Sequence, residues 1–158
     1  AASDVYKRQL LTSSLAHEIL SHAILGQVGQ REGLRLKGGL AAHQRRQLAD
    51  YIDCHLEQSI GLGELAGLCN LSEYHFARMF RESFGLPPHQ YLLARRLAKA
   101  RQLLSGSDLA LGEVALMCGF ASASHFSNRF RQAVGATPGA YRVALQGSMA
   151  VQPLAPRG

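Results

Sequence analysis

The sequence has no long apolar run, and it shows no charged-then-apolar signal sequence near its start. A membrane-spanning helix needs about 18 or more apolar residues in succession, and the runs here fall far short of that length. We therefore predict a soluble protein that is not exported, and we place it in the cytoplasm. Apolar residues still make up 47% of the 158 residues, which is ample for a helical core.

Cysteine is scarce, and the few cysteines lack the CxxC spacing of redox or zinc sites. Cys54, Cys69 and Cys118 are an odd number, and the last two occupy equivalent positions of an internal repeat. This pattern favours buried thiols over redox or metal chemistry. None of the seven histidines forms a ligand pair with a cysteine or with another histidine at helical spacing. We predict no metal site and no cofactor.

Acidic residues are outnumbered, and the signatures of common enzymes are missing. The 17 basic and 11 acidic residues give a formal net charge of +6, which favours polyanionic partners without identifying one. The sequence contains no Ser-His-Asp signature, no phosphate-cradling glycine loop and no H-E-x-x-H motif. We predict that the protein is not an enzyme.

A helical pattern that occurs twice dominates the rest of the sequence. The segment from Leu65 to Tyr91 is followed by a second copy from Val114 to Tyr141. Residues that follow the turn in the sequence recur 50 positions later, and residues that precede it recur 49 positions later. The turn of the second copy is therefore one residue longer. The first group contains His75-Phe76, Phe80-Arg81, Gly85, Pro88 and Tyr91, and the second contains Ala66 and Cys69.

Each copy predicts a helix, a tight turn and a second helix. Asn70 and Gly119 suit a left-handed backbone in the two turns, and Ser72 and Ser122 suit the N-cap of the helix that follows. On that helix, apolar residues at i, i+4 and i+8 are expected to face the core and to leave the opposite face exposed. The inward residues are Phe76, Phe80 and Phe84, then Phe126, Phe130 and Val134; the exposed ones are Tyr74, Arg78 and Arg81, then Ser124, Asn128 and Arg131.

A connector helix is predicted between the copies, starting at Pro88 and reaching about Leu104. Its length of about 18 residues corresponds to about 27 Å, so with the width of the flanking helices the two exposed helices can reach major grooves about 34 Å apart. The connector carries four cations and no acid, namely Arg95, Arg96, Lys99 and Arg101. A solvated face and phosphate contact both remain open for these four.

These motifs resemble the DNA-binding domain of the AraC/XylS family of bacterial transcription regulators, over about 41–145. The motifs that carry the resemblance are Ser72-x-x-His75-Phe76-x-Arg78-x-Phe80-Arg81, Arg96-Leu97-x-x-Ala100, Cys118-Gly119-Phe120 and Gly135-x-Thr137-Pro138-x-x-Tyr141-Arg142. The resemblance implies an all-α fold in which a long linker helix joins two helix-turn-helix subdomains. About seven helices are expected in all, preceded by one extra amphipathic helix.

The resemblance also implies a function, which is sequence-specific binding of double-stranded DNA in transcription regulation, as an activator. The two recognition helices would occupy successive major grooves. RNA polymerase is an implied partner, as is a second copy of the protein bound through an N-terminal domain. The alternative is a helical protein-interaction module without sequence-specific DNA readout. An acidic exposed surface would favour that alternative, and the sequence shows the reverse.

Base-reading residues are expected early in each recognition helix, in agreement with the exposed faces. The implied base contacts are Tyr74, Ala77 and Arg78 in the first helix and Ala123, Ser124 and Asn128 in the second. The implied backbone contacts are Arg81, Arg96, Arg129, Arg131 and Arg142, with a solvated or intramolecularly paired arginine as the alternative for each. Arginine is frequent in the family where Asn128 stands, which leaves open whether the second helix reads bases or mainly grips the backbone.

The predicted domain boundaries follow from composition and from the resemblance. Residues 1–9 lack periodicity and partly resemble translated sequencing-adaptor DNA, so we predict a non-native or disordered start. Residues 10–38 are predicted to be the remnant of an N-terminal sensor or dimerisation domain, with an amphipathic helix over 10–28 and a glycine-rich linker. Residues 39–146 are predicted to form the DNA-binding domain, with helix-turn-helix motifs at about 64–85 and 113–135. Residues 147–158 are predicted to be a disordered tail.

Overall fold

The computed structural model describes residues 38–149, and the regular structure in this range is entirely helical. Seven helices follow one another there: α1 (Ala42–Cys54), α2 (Leu62–Leu68), α3 (Glu73–Phe84), α4 (Pro88–Gly106), α5 (Leu111–Met117), α6 (Ala123–Val134) and α7 (Pro138–Met149). The pair α2–α3 forms the first helix-turn-helix motif, α4 is the linker, and the pair α5–α6 forms the second. The predicted fold is therefore confirmed. The segment 1–9 and the amphipathic helix predicted over 10–28 lie outside the described residues.

The ends of both recognition helices, α3 and α6, follow the local chemistry of the sequence. Ser72 Oγ accepts a hydrogen bond from the backbone N–H of His75 at 3.3 Å, and Ser122 Oγ accepts one from His125 at 3.1 Å. Each serine thereby satisfies one of the free N–H groups at a helix start. Both helices end at a glycine with a left-handed backbone, with φ of 78° at Gly85 and 87° at the second. The predicted N-caps are confirmed.

The first hydrophobic core lies under the first motif. Phe76, Phe80 and Phe84 of α3 are all buried, and they pack with Leu48 and Ile52 of α1. The rings of Phe80 and Phe84 stack with their centroids 4.2 Å apart. The predicted inward face of α3 is therefore confirmed, and α1 supplies the opposite wall of this core.

The second core repeats this arrangement with α4 as its wall. Phe126 and Phe130 of α6 are fully buried, and they pack with Ala100 and Leu104 of α4. At its other end α4 contributes Tyr91 to the first core. One helix of 19 residues, or about 28 Å, therefore forms part of both cores.

Two of the three cysteines are buried as predicted. Burial raises the pKa of the Cys69 thiol, and it raises that of Cys118 to about 11. The prediction of a buried thiol is wrong for Cys54, which is exposed. Cys54 follows the buried Ile52 by two residues, which is about 200° around the helix, so its side chain leaves the core face.

Helix α7 ends at Met149, so it includes the first three residues of the segment 147–158 that was predicted to be a tail. None of the helices in 38–149 combines the length and the apolar character needed to cross a membrane.

Candidate nucleic-acid interface

The exposed face of α3 brings together the residues predicted for the first half of the interface. Tyr74 is 78% exposed, and the Arg78 side chain is 69% exposed. Together with Ala77 and Arg81, these side chains line one shallow depression. The opposite face of the same helix carries the buried phenylalanines, so the core holds this group of side chains at a fixed angle to the rest of the motif.

A glutamate that was absent from the predicted interface lies in the same depression. Glu82 accepts a hydrogen bond from Nε of Arg78 at 3.3 Å, and Pro87 completes the lining. Glu82 is one helical turn from Arg78, so the i,i+4 spacing carried a signal for this pair. Exposed pairs of this kind contribute about 0.3–0.5 kcal/mol, so a DNA contact can readily displace Glu82 from Arg78.

The exposed face of α6 presents the residues predicted for the second half. Ala123, Ser124 and Asn128 are all exposed, as are the two arginines Arg129 and Arg131. The only polar contact between these side chains and their own helix that the structure shows in 38–149 is a long one, 3.5 Å from Arg129 Nε to His125 Nε2. The face is therefore small, polar and basic.

The charge of the two recognition helices differs. Helix α3 contains two arginines, Arg78 and Arg81, and two glutamates, Glu73 and Glu82. Helix α6 contains the two arginines Arg129 and Arg131 and no acid. The side chains of α3 therefore sum to zero and those of α6 to +2. By side-chain charge alone, α6 attracts phosphate and α3 does not.

Three of the four linker cations bind the end of α1 and the loop that follows it. Arg95 donates to both carboxylate oxygens of Asp53 at 2.7 and 2.6 Å, and Lys99 donates to Glu57 at 3.1 Å. Burial alone would lower the pKa of Arg95, but the hydrogen bond and charge of Asp53 outweigh it and raise the pKa. These bonds join residues about 42 positions apart in the sequence, which is why helical spacing did not reveal them.

Arg96 has a separate set of partners in the same loop. Its Nε donates to the carbonyl oxygen of Leu56 at 3.1 Å, and its Nη2 donates to that of Gln58 at 2.7 Å. Partial burial lowers the pKa of this guanidinium from its ordinary value. The alternative of an intramolecularly bonded arginine thus describes the DNA-free state of Arg96, and its contact with a phosphate stays a prediction.

Arg142, the last predicted backbone contact, is half-buried on α7. Its Nε and Nη2 are buried without a hydrogen-bond partner among the described residues, and the same holds for Nε of Arg101 on the linker. Residues 38–149 contain no group of three or more metal-ligating side chains placed to hold an ion.

These features define a class of protein. Two capped helix-turn-helix motifs share one linker helix, and each shows an exposed polar face opposite a buried aromatic one. This is the architecture of a double helix-turn-helix DNA-binding domain.

Comparison with known families and proteins identifies the particular type. A family model described as a helix-turn-helix domain matches residues 65–144, just over half of the 158 residues. The DNA-binding domain of AdpA, solved in complex with a target DNA, superposes with a TM-score of 0.64 at 32% identity, covering 68% of this chain and 96% of that one. An AraC-type regulator structure from Chromobacterium violaceum gives a TM-score of 0.60 at 27% identity, covering 70% and 95%.

Curated relatives agree with the structures. The probable transcriptional regulator LumQ of Photobacterium leiognathi is 39% identical over 93 residues, which is 59% of this chain and 38% of LumQ. The regulator GbdR of Pseudomonas aeruginosa is 35% identical over 109 residues, which is 69% of this chain and 30% of GbdR. The chain thus spans about a third of the length of these relatives. It belongs to the AraC-type helix-turn-helix family, and its described part has the fold of that family's DNA-binding domain.

Proposed function

We propose that this protein regulates transcription by placing α3 and α6 in successive major grooves on one face of a DNA duplex. The observation that carries the proposal is the duplicated, exposed reading face on two helices joined by a stiff linker. A second support is the similarity to AdpA, whose DNA-binding domain was solved on a target DNA. The basic balance of the chain favours the same polyanionic partner.

Within this proposal, α3 supplies most of the direct readout. Arg78 binds guanine through two hydrogen bonds, Tyr74 offers a ring and a hydroxyl, and Ala77 leaves room for a base edge or a thymine methyl group. On α6, Asn128 suits adenine, and Ala123 and Ser124 flank it closer to the start of the helix.

Phosphate contacts position the domain on the duplex without selecting sequence. We assign this role to Arg81 on α3 and to Arg129 and Arg131 on α6, which are all exposed. Arg96 and Arg142 complete the proposed set, with Arg96 bound to the protein's own loop in the absence of DNA. Backbone contacts on α6 agree with the positive charge of that helix.

The finer assignments concern the whole protein. We propose that it acts as an activator in the bacterial cytoplasm, that it contacts RNA polymerase, and that it forms a homodimer through a region preceding residue 38. DNA binding accounts for the exposed faces, and we propose no catalytic activity. A promoter-reporter strain tests activation directly. Loss of the gene for an activator should lower transcription from a bound promoter, whereas loss of the gene for a repressor would raise it.

A selection over random duplexes tests the central proposal. The purified protein should enrich a motif with two half-sites whose centres lie about 10 base pairs apart, one turn of the duplex. Enrichment of no motif would overturn the proposal and favour the protein-interaction alternative. Enrichment of a single half-site would restrict readout to one helix.

A further inference from the structure

The turn of the second motif differs from that of the first in what it touches. Gly119, with φ of 77°, stands where the first motif has Asn70, with φ of 53°. Asn70 is exposed, whereas a Cβ atom on Gly119 would overlap the carbonyl oxygen of Leu56 and lie 2.9 Å from Nε and Nη2 of Arg96. Leu56 belongs to the first subdomain, so the second turn is a contact between subdomains.

Arg96 of the linker helix binds the same loop of the first subdomain. Its Nε donates to the same carbonyl oxygen of Leu56 that faces Gly119, and its Nη2 donates to Gln58 two residues further on. The loop after α1 is therefore held between the linker guanidinium and the turn of the second motif. We call the group of Leu56, Arg96 and Gly119 the junction.

Both sides of the junction are anchored in a core. The side chain of Leu56 is 5% exposed in the first core, and Cys118, the neighbour of Gly119, is fully buried in the second. The bond of Arg95 to Asp53 holds the end of α1 to the linker, and the bond of Lys99 to Glu57 holds the loop that follows α1. Because both cores are close-packed, a shift of the second turn relative to the loop must disturb one of them.

We propose that the junction is a positioning element for DNA recognition, which fixes the second recognition helix relative to the first and so sets the half-site spacing that the domain accepts. The linker helix is the covalent connection between the subdomains, and the junction adds a second connection beside it. Inserting one base pair moves a half-site by about 3.4 Å along the duplex and by about 35° around it. A domain held at two places cannot follow that displacement without strain.

This inference rests on the proposed use of both recognition helices on one duplex, and its test separates the two ideas. The affinity of the wild-type domain would be measured by fluorescence anisotropy on the selected duplex and on duplexes whose half-site spacing is one base pair longer or shorter. We expect the wild-type protein to bind the altered duplexes about tenfold or more weakly, since a displaced half-site loses several base contacts at once. If it is indifferent to spacing, the proposed two-groove function fails, and the inference fails with it.

The decisive variants are Gly119→Ala and Gly119→Asn, with Gly135→Ala as the matched control. Gly135 has a similar φ of 87° but no atom within 4 Å of an added Cβ, so its variant carries the backbone strain without the overlap. We expect both Gly119 variants to lose discrimination between spacings, with the affinity ratio falling toward one, while Gly135→Ala retains the wild-type ratio. A folded Gly119 variant that keeps the wild-type ratio overturns the inference, as does a Gly135→Ala variant that loses it.

Arg96→Met decides the question if the Gly119 variants do not fold. It keeps the apolar stem of the side chain and removes the two bonds to the loop. We expect loss of spacing discrimination, together with the fall of about one in the slope of log affinity against log salt that the proposed phosphate contact of Arg96 predicts. A residue that only contacts phosphate would lower the slope and leave the discrimination intact, and that result overturns the inference.

Discussion

Position 82 in the first recognition helix is a glutamate, and the equivalent position 132 in the second is a glutamine. The contrast extends over both helices, since α3 pairs two arginines with two glutamates and α6 has two arginines alone. Beneath these faces the motifs share their capping serine, their terminal glycine and their buried aromatic rings. The scaffold of a helix-turn-helix and its reading face therefore vary independently. We propose that the exposed face of α3 mainly selects bases and that the exposed face of α6 contributes more to phosphate binding.

The shared scaffold predicts equal and large costs for breaking either core. Phe80 and Phe130 are both 0% exposed, so Phe80→Ala and Phe130→Ala should each lower the free energy of unfolding by about 3–5 kcal/mol. Urea denaturation followed by circular dichroism measures this. Tyr74→Ala, at an exposed position of α3, should leave the free energy of unfolding within about 0.5 kcal/mol of the wild-type value. A cost below about 1 kcal/mol at one phenylalanine would show that the two cores are not equivalent.

The difference between the faces predicts unequal losses of base selectivity. Arg78→Ala should weaken binding to the selected duplex by about 1–3 kcal/mol and relax selectivity at one base pair. Asn128→Ala should cost less binding free energy and relax selectivity weakly, because the neutral amide of Asn128 forms weaker hydrogen bonds with a base than the charged guanidinium of Arg78 does. Binding to a panel of single-base variants of the duplex measures both. Comparable losses of selectivity from the two substitutions would contradict the asymmetry.

Arg81→Ala is the control for this comparison. As a phosphate contact, Arg81 should contribute to every duplex alike, so its loss should weaken binding uniformly and lower the salt slope by about one.

Loss of the capping serines should have a smaller effect on stability, and the effect should differ between the two motifs. Ser72→Ala and Ser122→Ala should each cost about 1 kcal/mol of stability, because each leaves one helix-start N–H without its acceptor. Ser72 Oγ also lies 2.9 Å from Nδ1 of His75, a contact the structure does not show for the second serine within the described residues. The Ser72 substitution should therefore cost more. Thermal unfolding measures the order, with the serine-to-threonine variants, which keep the hydroxyl, as controls.

The smallest effect comes from exchanging the residues at 82 and 132. Glu82→Gln removes an anion from the reading surface and frees Arg78, so it should tighten DNA binding by about 1 kcal/mol or less. Gln132→Glu should weaken binding by a similar amount. The two effects should shrink together as salt is raised. Opposite changes of similar size would establish that the charge difference between the helices acts through DNA, and changes of the same sign would refute it.

Local patterns in the sequence predicted most of the scaffold. The four-residue spacing of Phe76, Phe80 and Phe84 predicted the inward face of α3, and the serine before each recognition helix predicted where that helix begins. Such signals lie within one or two helical turns, so a single sequence contains them completely. The exposed positions of the reading faces followed as the opposite side of the same helices.

Contacts between distant segments could not be predicted in this way. The linker cations have their partners about 40 residues earlier, and no periodicity relates Arg96 to the carbonyl of Leu56. Gly119 was expected only to permit a turn, and the atom that it touches belongs to the other subdomain. Cys54 was assigned to the interior by analogy with its two buried counterparts, although its place on α1 turns it outward.

The linker helix has a consequence for how this domain can be recombined. Leu97, Ala100 and Leu104 of α4 complete the second core, and Tyr91 of the same helix completes the first. Neither motif is thus self-contained, because each core needs its own part of α4, the first the part around Tyr91 and the second the part from Leu97 to Leu104. A chimaera that imports a new second motif must also import the C-terminal half of α4, together with a residue at the position of Gly119 that clears the host's loop. Exchange of specificity between relatives is therefore easier by substitution on the exposed faces than by exchange of segments.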